Sequence, residues 1–183
     1  KPGREGNGTE SQVLFVGRDD GWHASVLYRV SDATYQTYNN YGGRSGYDWN
    51  SSGDPTVSAT SRAVKLSFNR PYKQIFTTQR DFYTFTDVEG VSWLEKQGYD
   101  IDYASTLDVE NGHAVLTDHK VAISGAHDEY VPQSVRNAMT SARNAGTSLA
   151  FLGANAVYWR VRFESSPVTG ASNRTLVVYK TTQ

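Results

Sequence analysis

Residues 120–152, KVAISGAHDEYVPQSVRNAMTSARNAGTSLAFL, decide the fold class of this chain. Residues 120–124 are almost continuously apolar, which is typical of a strand buried on both faces of a parallel sheet. Residues 134–145 place apolar side chains three and four positions apart, so they predict a helix, and Gly146 is placed to end it. Residues 148–152 form a second apolar strand. A strand, a helix and a strand in this order predict a βαβ unit and a parallel sheet.

The segments on either side extend the same pattern. Residues 24–30 and 99–103 predict further strands, and residues 87–97 predict a helix because their apolar side chains recur on one face. Residues 158–163 and 175–179 predict two antiparallel edge strands near the C-terminus. Helices must cover both faces of a buried parallel sheet. We therefore expect an α/β fold, a three-layer sandwich with a mainly parallel sheet.

Composition excludes several classes of function. The chain has 183 residues, a formal net charge of −1 and no concentration of basic residues, so no nucleic-acid partner is expected. No apolar run reaches the length of a membrane span, so no membrane association is expected. The absence of cysteine excludes disulfides, cysteine nucleophiles, thiolate zinc sites and iron–sulfur clusters. The absence of cysteine does not distinguish a reducing from an oxidising compartment. The 12 Tyr and 4 Trp favour a secreted bacterial protein.

The chain divides into a short lead-in and one domain. Residues 1–12 are polar and glycine-rich and predict a linker, and residues 13–183 form a single α/β domain without internal repeats. The first residue is Lys1 and a predicted strand lies close to the last, so we expect a fragment of a longer polypeptide. Residues 35–55 are rich in Tyr, Asn, Gly and Ser without a regular period. They predict a long aromatic loop, and loops of this length are usually functional.

Polar side chains gather where the predicted strands end. His127 and Glu129 follow the strand at residues 120–124, and Asn155 follows the strand at residues 148–152. In an open parallel sheet these carboxyl ends form the ligand-binding edge. In extended backbone His127 and Glu129 point to the same side, which suits acid–base catalysis or metal binding. The alternative is that both side chains cap the following helix or bond to loop backbone.

The tyrosines of this edge also have two interpretations. Most of the 12 Tyr are expected to be packing residues and loop anchors. An edge that has His, Glu and Tyr but no Cys nevertheless supplies hard ligands. Phenolate and carboxylate oxygens favour a hard cation, and ferric iron (Fe³⁺) suits them better than zinc or copper.

Five stretches resemble one known family. The most distinctive is TYQTYNNYGGRSGYD at residues 34–48, and the others are residues 64–72, 93–103, 124–130 and 148–164. They resemble signatures of the N,N-dimethylformamidase large-subunit-like family, in register from about residue 13 to residue 180. The resemblance implies a fold similar to class I glutamine amidotransferase domains, which is flavodoxin-like. Those amidotransferases use a cysteine, which this chain lacks, so their chemistry does not transfer.

The resemblance also implies a mononuclear iron site with two tyrosinates, one glutamate and a nearby histidine. In the His-Asp-Glu-Tyr motif, Glu129 matches the glutamate and His127 the histidine. Tyr38 and Tyr72 are assigned as the two tyrosines, with Tyr47 as the reserve.

The expected function is metal-dependent hydrolysis of a small amide. Iron would polarise the carbonyl, His127 would activate water, and Asn155 would donate to the oxyanion. One alternative is a non-catalytic module of a larger secreted bacterial protein, in which aromatic residues bind a carbohydrate or another ligand. Another is a family member with a structural role. The expected partners are a small amide or sugar-like ligand and further domains or subunits of the same assembly.

Overall fold

The computed structural model describes residues 15–47, 62–72, 83, 86–125 and 127–180. Within them the strands are β1 (Val26–Val30), β2 (Lys65–Ser67), β3 (Ile101–Ser105), β4 (Val121–Ser124), β5 (Tyr130–Pro132), β6 (Ser148–Phe151), β7 (Trp159–Glu164) and β8 (Thr175–Val177). The helices are α1 (Asp32–Tyr38), α2 (Val88–Lys96), α3 (Thr106–Glu110) and α4 (Gln133–Ala145), with 3-10 turns at Tyr41–Gly43 and Leu116–Asp118.

Two of the predicted segments lie outside the described residues. These are the lead-in at residues 1–12 and the second part of the aromatic loop at residues 48–55. No described helix has both the length and the apolar character needed to cross a membrane.

The central sheet is parallel throughout, as predicted. Its strand order is β3-β1-β4-β6, and β1 pairs in parallel with both β3 and β4. The chain leaves β1 toward β3 on one side, whereas it leaves β4 toward β6 on the other side. The carboxyl ends of β1 and β4 therefore form the switch point at which ligands bind in open α/β sheets.

A second, mixed sheet has the order β2-β8-β7-β5. The two C-terminal strands, β7 and β8, are antiparallel to each other as predicted, but they do not extend the parallel sheet. They pair instead with β2, which is antiparallel to β8, and with β5, which is parallel to β7. The predicted single sheet with antiparallel edges is therefore corrected to two sheets, and the three-layer arrangement stays a prediction.

The predicted helices at residues 87–97 and 134–145 are confirmed as α2 and α4. The prediction of a loop from residue 35 onward is wrong for its first residues, because α1 extends to Tyr38. Residues 32 to 37 of α1 are all buried. A helix enclosed on nearly every side has no solvent face, so its sequence shows no amphipathic period.

Side chains from both faces of the parallel sheet are buried. On one face Leu27, Ala104 and Ala122 pack with apolar residues of α4. On the other face, Tyr28 and Ile123 share a cluster that also contains residues from α1 and α2. A third cluster fills the second sheet, with Ala33 of α1 packed against its strands β2, β5, β7 and β8. Helix α1, which directly follows β1 in the chain, therefore contacts both sheets.

Candidate functional site

Four polar side chains meet at the carboxyl ends of β1 and β4. Tyr38 is the last residue of α1, and its hydroxyl donates to Oε2 of Glu129 over 2.7 Å. The Tyr47 hydroxyl donates to the same oxygen over 3.2 Å, and Nε2 of His127 lies 3.2 Å from it. We call Tyr38, Tyr47, His127 and Glu129 the Glu129 cluster.

Contacts among its other members hold the Glu129 cluster together. The Tyr38 hydroxyl lies 3.4 Å from Nε2 of His127, and the ring centroids of Tyr38 and Tyr47 are 4.4 Å apart. The Tyr47 hydroxyl also lies 2.7 Å from the Tyr130 hydroxyl. Four atoms capable of binding a proton or a cation therefore share one small volume.

Backbone hydrogen bonds fix residues 127–130, which carry Glu129 and are called the Glu129 segment. The hydroxyl oxygen of Thr34, in α1, accepts from the N–H groups of Glu129 and Tyr130, at 3.1 Å and 3.2 Å. The Glu129 carbonyl accepts from the N–H of Trp159 over 2.8 Å. Glu129 thus bonds to α1 on one side and to the second sheet on the other. Strand β5 separates it from α4, so the alternative of a helix cap does not describe its position.

A buried ion pair also fixes this segment. Asp128 and Arg29 are 1% and 2% exposed, and the Arg29 guanidinium donates to Oδ2 of Asp128. Arg29 lies in the central strand β1, and Ser124 and Thr106 accept from the same guanidinium. Asp128 is the neighbour of both His127 and Glu129, so this pair sets where their backbone lies.

Tyr47 reaches the Glu129 cluster because Gly46 passes very close to α1. The Gly46 N–H donates to the Thr37 carbonyl over 2.8 Å. A Cβ atom on Gly46 would lie 2.4 Å from Cγ2 of Thr37, closer than such atoms can approach. Only glycine therefore fits here without a shift of the chain.

The pKa values of the Glu129 cluster keep the carboxyl ionised and the phenols protonated. Burial raises the pKa of Glu129, but hydrogen bonds from His127 and Tyr38 and the charge of Lys180 outweigh burial and lower it overall. Burial, followed by hydrogen bonding, raises the pKa of Tyr38 well above its ordinary value, and burial does the same for Tyr47. At neutral pH Glu129 is therefore a carboxylate that accepts from protonated phenols.

A lysine that the sequence did not single out lies beside the cluster. Nζ of Lys180 is 3.2 Å from the ring centroid of Tyr47 and 4.8 Å from that of Tyr130. Burial lowers the pKa of Lys180 to about 8, although the Glu129 carboxylate opposes this. Aromatic faces and a nearby carboxylate are the surroundings that keep a desolvated ammonium charged.

Comparison with known proteins places the chain in a family. The profile described as "N,N-dimethylformamidase beta subunit-like, C-terminal" matches residues 4–183. The chain belongs to this family. The resemblance drawn from residues 34–48 and 124–130 is confirmed at this level, whereas the glutamine amidotransferase-like fold stays a prediction.

Two curated relatives of this dimethylformamidase-like chain carry the same name. The N,N-dimethylformamidase beta subunit of Paracoccus aminophilus is 26% identical over 147 residues, which cover 80% of this chain and 19% of the relative. The beta subunit of an Alcaligenes species is 25% identical over 147 residues, with the same two shares. The chain thus spans about a fifth of the length of the curated relatives it matches.

The structure brings together three of the predicted site residues of this dimethylformamidase-like chain, namely Tyr38, His127 and Glu129. Tyr72 packs against the cluster around Tyr28 on one face of the parallel sheet, as Tyr38 also does. Asn155 lies on an exposed turn after β6, where its φ is 55°.

Three further residues lie in or beside the candidate site, and the sequence indicated their importance to different degrees. Tyr47, the reserve tyrosine, lies within hydrogen-bond distance of Glu129. Arg29 had a readable signal, since a charged residue inside an apolar strand usually has a buried partner. Lys180 had none, because it follows an edge-like strand in a polar tail.

The donor set of the Glu129 cluster fits a small hard cation. Its donors are two phenol oxygens, carboxylate oxygens and one imidazole nitrogen, which are ligands that ferric iron accepts. The separations between donor atoms, 2.7 Å to 3.4 Å, resemble those of neighbouring ligands on one ion. With bonds of about 2.1 Å to a small octahedral cation, neighbouring oxygens are about 3 Å apart.

Proposed function

We propose that this chain carries the active site of an amide hydrolase, and that the Glu129 cluster is that site. The convergence of Tyr38, Tyr47 and His127 on one carboxylate carries the proposal. Its place at the switch point of the parallel sheet supports it, and so does membership of the dimethylformamidase-like family. The reaction would be hydrolysis of the C–N bond of a small amide.

Tyr38, Tyr47 and Glu129 would hold one ferric ion. Tyr47 takes the place first assigned to Tyr72, because the Tyr47 hydroxyl contacts the Glu129 carboxylate. When bound, the ion would polarise the amide carbonyl as a Lewis acid. The two phenols would lose their protons on binding, although burial by itself favours their protonated forms.

His127 would act as the general base and then as the general acid. Its side chain is 20% exposed and that of Glu129 is 5% exposed, so His127 is the group of this pair that a substrate can meet. His127 would take a proton from the attacking water as the C–O bond forms. It would return that proton to the nitrogen as the C–N bond breaks, which releases a carboxylic acid and an amine.

Asn155 would donate a hydrogen bond to the developing oxyanion. Its turn lies beside the Glu129 segment, because the N–H of Val157 donates to the carbonyl of Asp128 over 2.7 Å. The Asn155 side chain is exposed, so it is free to turn toward a substrate that enters over His127.

The carbohydrate-binding alternative has weaker support from the same residues. A stacking platform needs exposed aromatic faces. In the described part of the aromatic segment, Tyr35 is 1% exposed, and Tyr38 and Tyr47 face the Glu129 carboxylate. Tyr41, which is 44% exposed, is the exposed aromatic residue of that part.

Iron reconstitution tests the proposal. Purified protein incubated with Fe³⁺ should bind one equivalent and develop a visible tyrosinate-to-iron absorption band. Tyr38→Phe and Tyr47→Phe should each weaken the band, and Glu129→Gln should reduce iron binding. Tyr72→Phe is the matched control and should leave the band unchanged.

Amine release from dimethylformamide and other small amides then tests the chemistry. His127→Ala should abolish amine release while the visible band persists, because His127 serves as the base. Loss of the band in Tyr72→Phe but not in Tyr47→Phe would overturn the ligand assignment. A protein that binds no iron, and whose amide hydrolysis survives Glu129→Gln, would overturn the proposed function.

A further inference from the structure

A second group of potential ligands lies at the opposite edge of the parallel sheet. His23, Asp102 and His119 each offer one ligand atom, and these atoms all lie within 4.8 Å of one another. His23 precedes β1, Asp102 lies near the start of β3, and His119 precedes β4. Strand β1 has five residues and rises about 3.3 Å per residue, so this edge is on the order of 15 Å from the Glu129 cluster.

The backbone of Ala24 orients two of these three side chains. Nδ1 of His119 lies 2.7 Å from the Ala24 carbonyl, which can only accept, so Nδ1 carries the proton. The lone pair of His119 is therefore on Nε2. Oδ2 of Asp102 accepts from the Ala24 N–H over 2.9 Å and lies 3.8 Å from Nδ1 of His119. A histidine whose second nitrogen donates to a backbone carbonyl is the usual arrangement of a metal-binding imidazole.

Burial and exposure also suit a bound ion. His119 is 6% exposed and its ring is fixed, whereas His23 is exposed and its ring meets that of His119 edge to face, with centroids 5.9 Å apart. Two imidazoles and one carboxylate are a ligand set for zinc, and water would take the fourth coordination position. We propose that His23, Asp102 and His119 bind a divalent transition-metal ion of the zinc class.

Such an ion would tie together the amino ends of three adjacent strands. The parallel sheet has the order β3-β1-β4, and the ligands come from these three strands or the residues just before them. Because the ligands converge only in the folded chain, the ion would stabilise the fold without taking part in amide hydrolysis. The site does not depend on the function proposed for the Glu129 cluster.

Zinc titration of the metal-free protein tests the inference. Isothermal titration calorimetry with Zn²⁺ should show one equivalent bound, and Zn²⁺ at about a hundred times its dissociation constant should raise Tm by about 5 to 10 °C. His23→Ala should weaken binding by at least about tenfold, because even outer-shell contacts are worth 10- to 100-fold in metal affinity. His23 is exposed, so this variant should fold normally.

Matched variants distinguish binding at these three residues from binding of zinc elsewhere on the chain. His113→Ala removes another exposed histidine and should leave Zn²⁺ affinity unchanged. Asp102→Asn should weaken binding while its amide oxygen still accepts from Ala24. Glu129→Gln should retain the zinc equivalent. Equal effects of His23→Ala and His113→Ala, or loss of the equivalent in Glu129→Gln alone, would overturn the inference.

Discussion

Asp128→Asn removes one charge from the buried pair that positions the Glu129 segment. Oδ2 of Asp128 accepts from both Arg29 and Ser124, whereas Oδ1 is buried and has no hydrogen-bond partner among the described residues. The asparagine keeps the shape and can still accept through its oxygen. Its amide nitrogen then occupies the unpartnered position, and the buried Arg29 charge loses its counter-charge.

The expected cost follows from this burial. Removing one partner of a buried ion pair costs about 3–5 kcal/mol, because the remaining charge stays desolvated. Asparagine retains a hydrogen bond, so we expect a loss of about 3 kcal/mol from the free energy of unfolding. In a chain of this size that lowers Tm by about 6 to 12 °C.

Urea and thermal denaturation followed by circular dichroism measure this loss. Glu164→Gln is the control, since Glu164 pairs with Lys65 and Arg162 on the exposed side of the second sheet, where little change is expected. The double variant Arg29→Met with Asp128→Leu should lose less than the sum of its single variants. If Asp128→Asn melts within 2 °C of wild type (about 1 kcal/mol or less), the pair does not hold the segment as described.

Three further predictions use the same assays. Gly46→Ala should lower the free energy of unfolding by about 1–3 kcal/mol, and adding Thr37→Ser, which removes the clashing methyl, should recover part of the loss. As a control, Gly90→Ala lies on a helix with open space at that position and should stabilise the protein by up to about 1 kcal/mol. Destabilisation by both alanines would contradict the close-contact argument. Lys180 has a folded pKa of about 8 against an ordinary 10.5, so the unfolded chain binds its proton more tightly. Relative to Lys180→Met, wild-type stability should therefore rise between pH 8 and pH 10.5, by up to about 3 kcal/mol, and parallel pH curves would refute this. Glu129 has a lowered folded pKa, so in metal-free protein its stabilising effect relative to Glu129→Gln should be complete above pH 4.5 and decline below it, and a difference that does not change with pH would count against that assignment.

The parallel sheet was predictable because its strands satisfy simple rules. Residues 121–123 supply apolar side chains to both faces of the sheet, and α4 follows with a clear helical period and a terminal glycine in left-handed conformation. These signals are local, so the order of these elements and the place of the candidate site could be inferred. His127 and Glu129 were found in this way.

The pairing within the second sheet and helix α1 were not predictable in the same way. Strand β5 has three residues, too few to show a period, and the partners of β2 and β5 are far away in the sequence. Helix α1 contacts both sheets and has no solvent face. Which tyrosines approach Glu129 depends on these contacts, so the contact of Tyr47 with Glu129 became evident only from the structure.

The position of β8 determines when Lys180 can reach Tyr47. Strand β2 has β8 as its partner in the described sheet, and β8 lies between β2 and β7. During synthesis β2 must therefore wait for about a hundred residues before it pairs, and contacts between such distant residues form slowly. Lys180 follows β8 and reaches Tyr47 only after that pairing. A ribosome-bound chain that lacks β8 would therefore hold the Glu129 cluster without the ammonium group of Lys180 beside it.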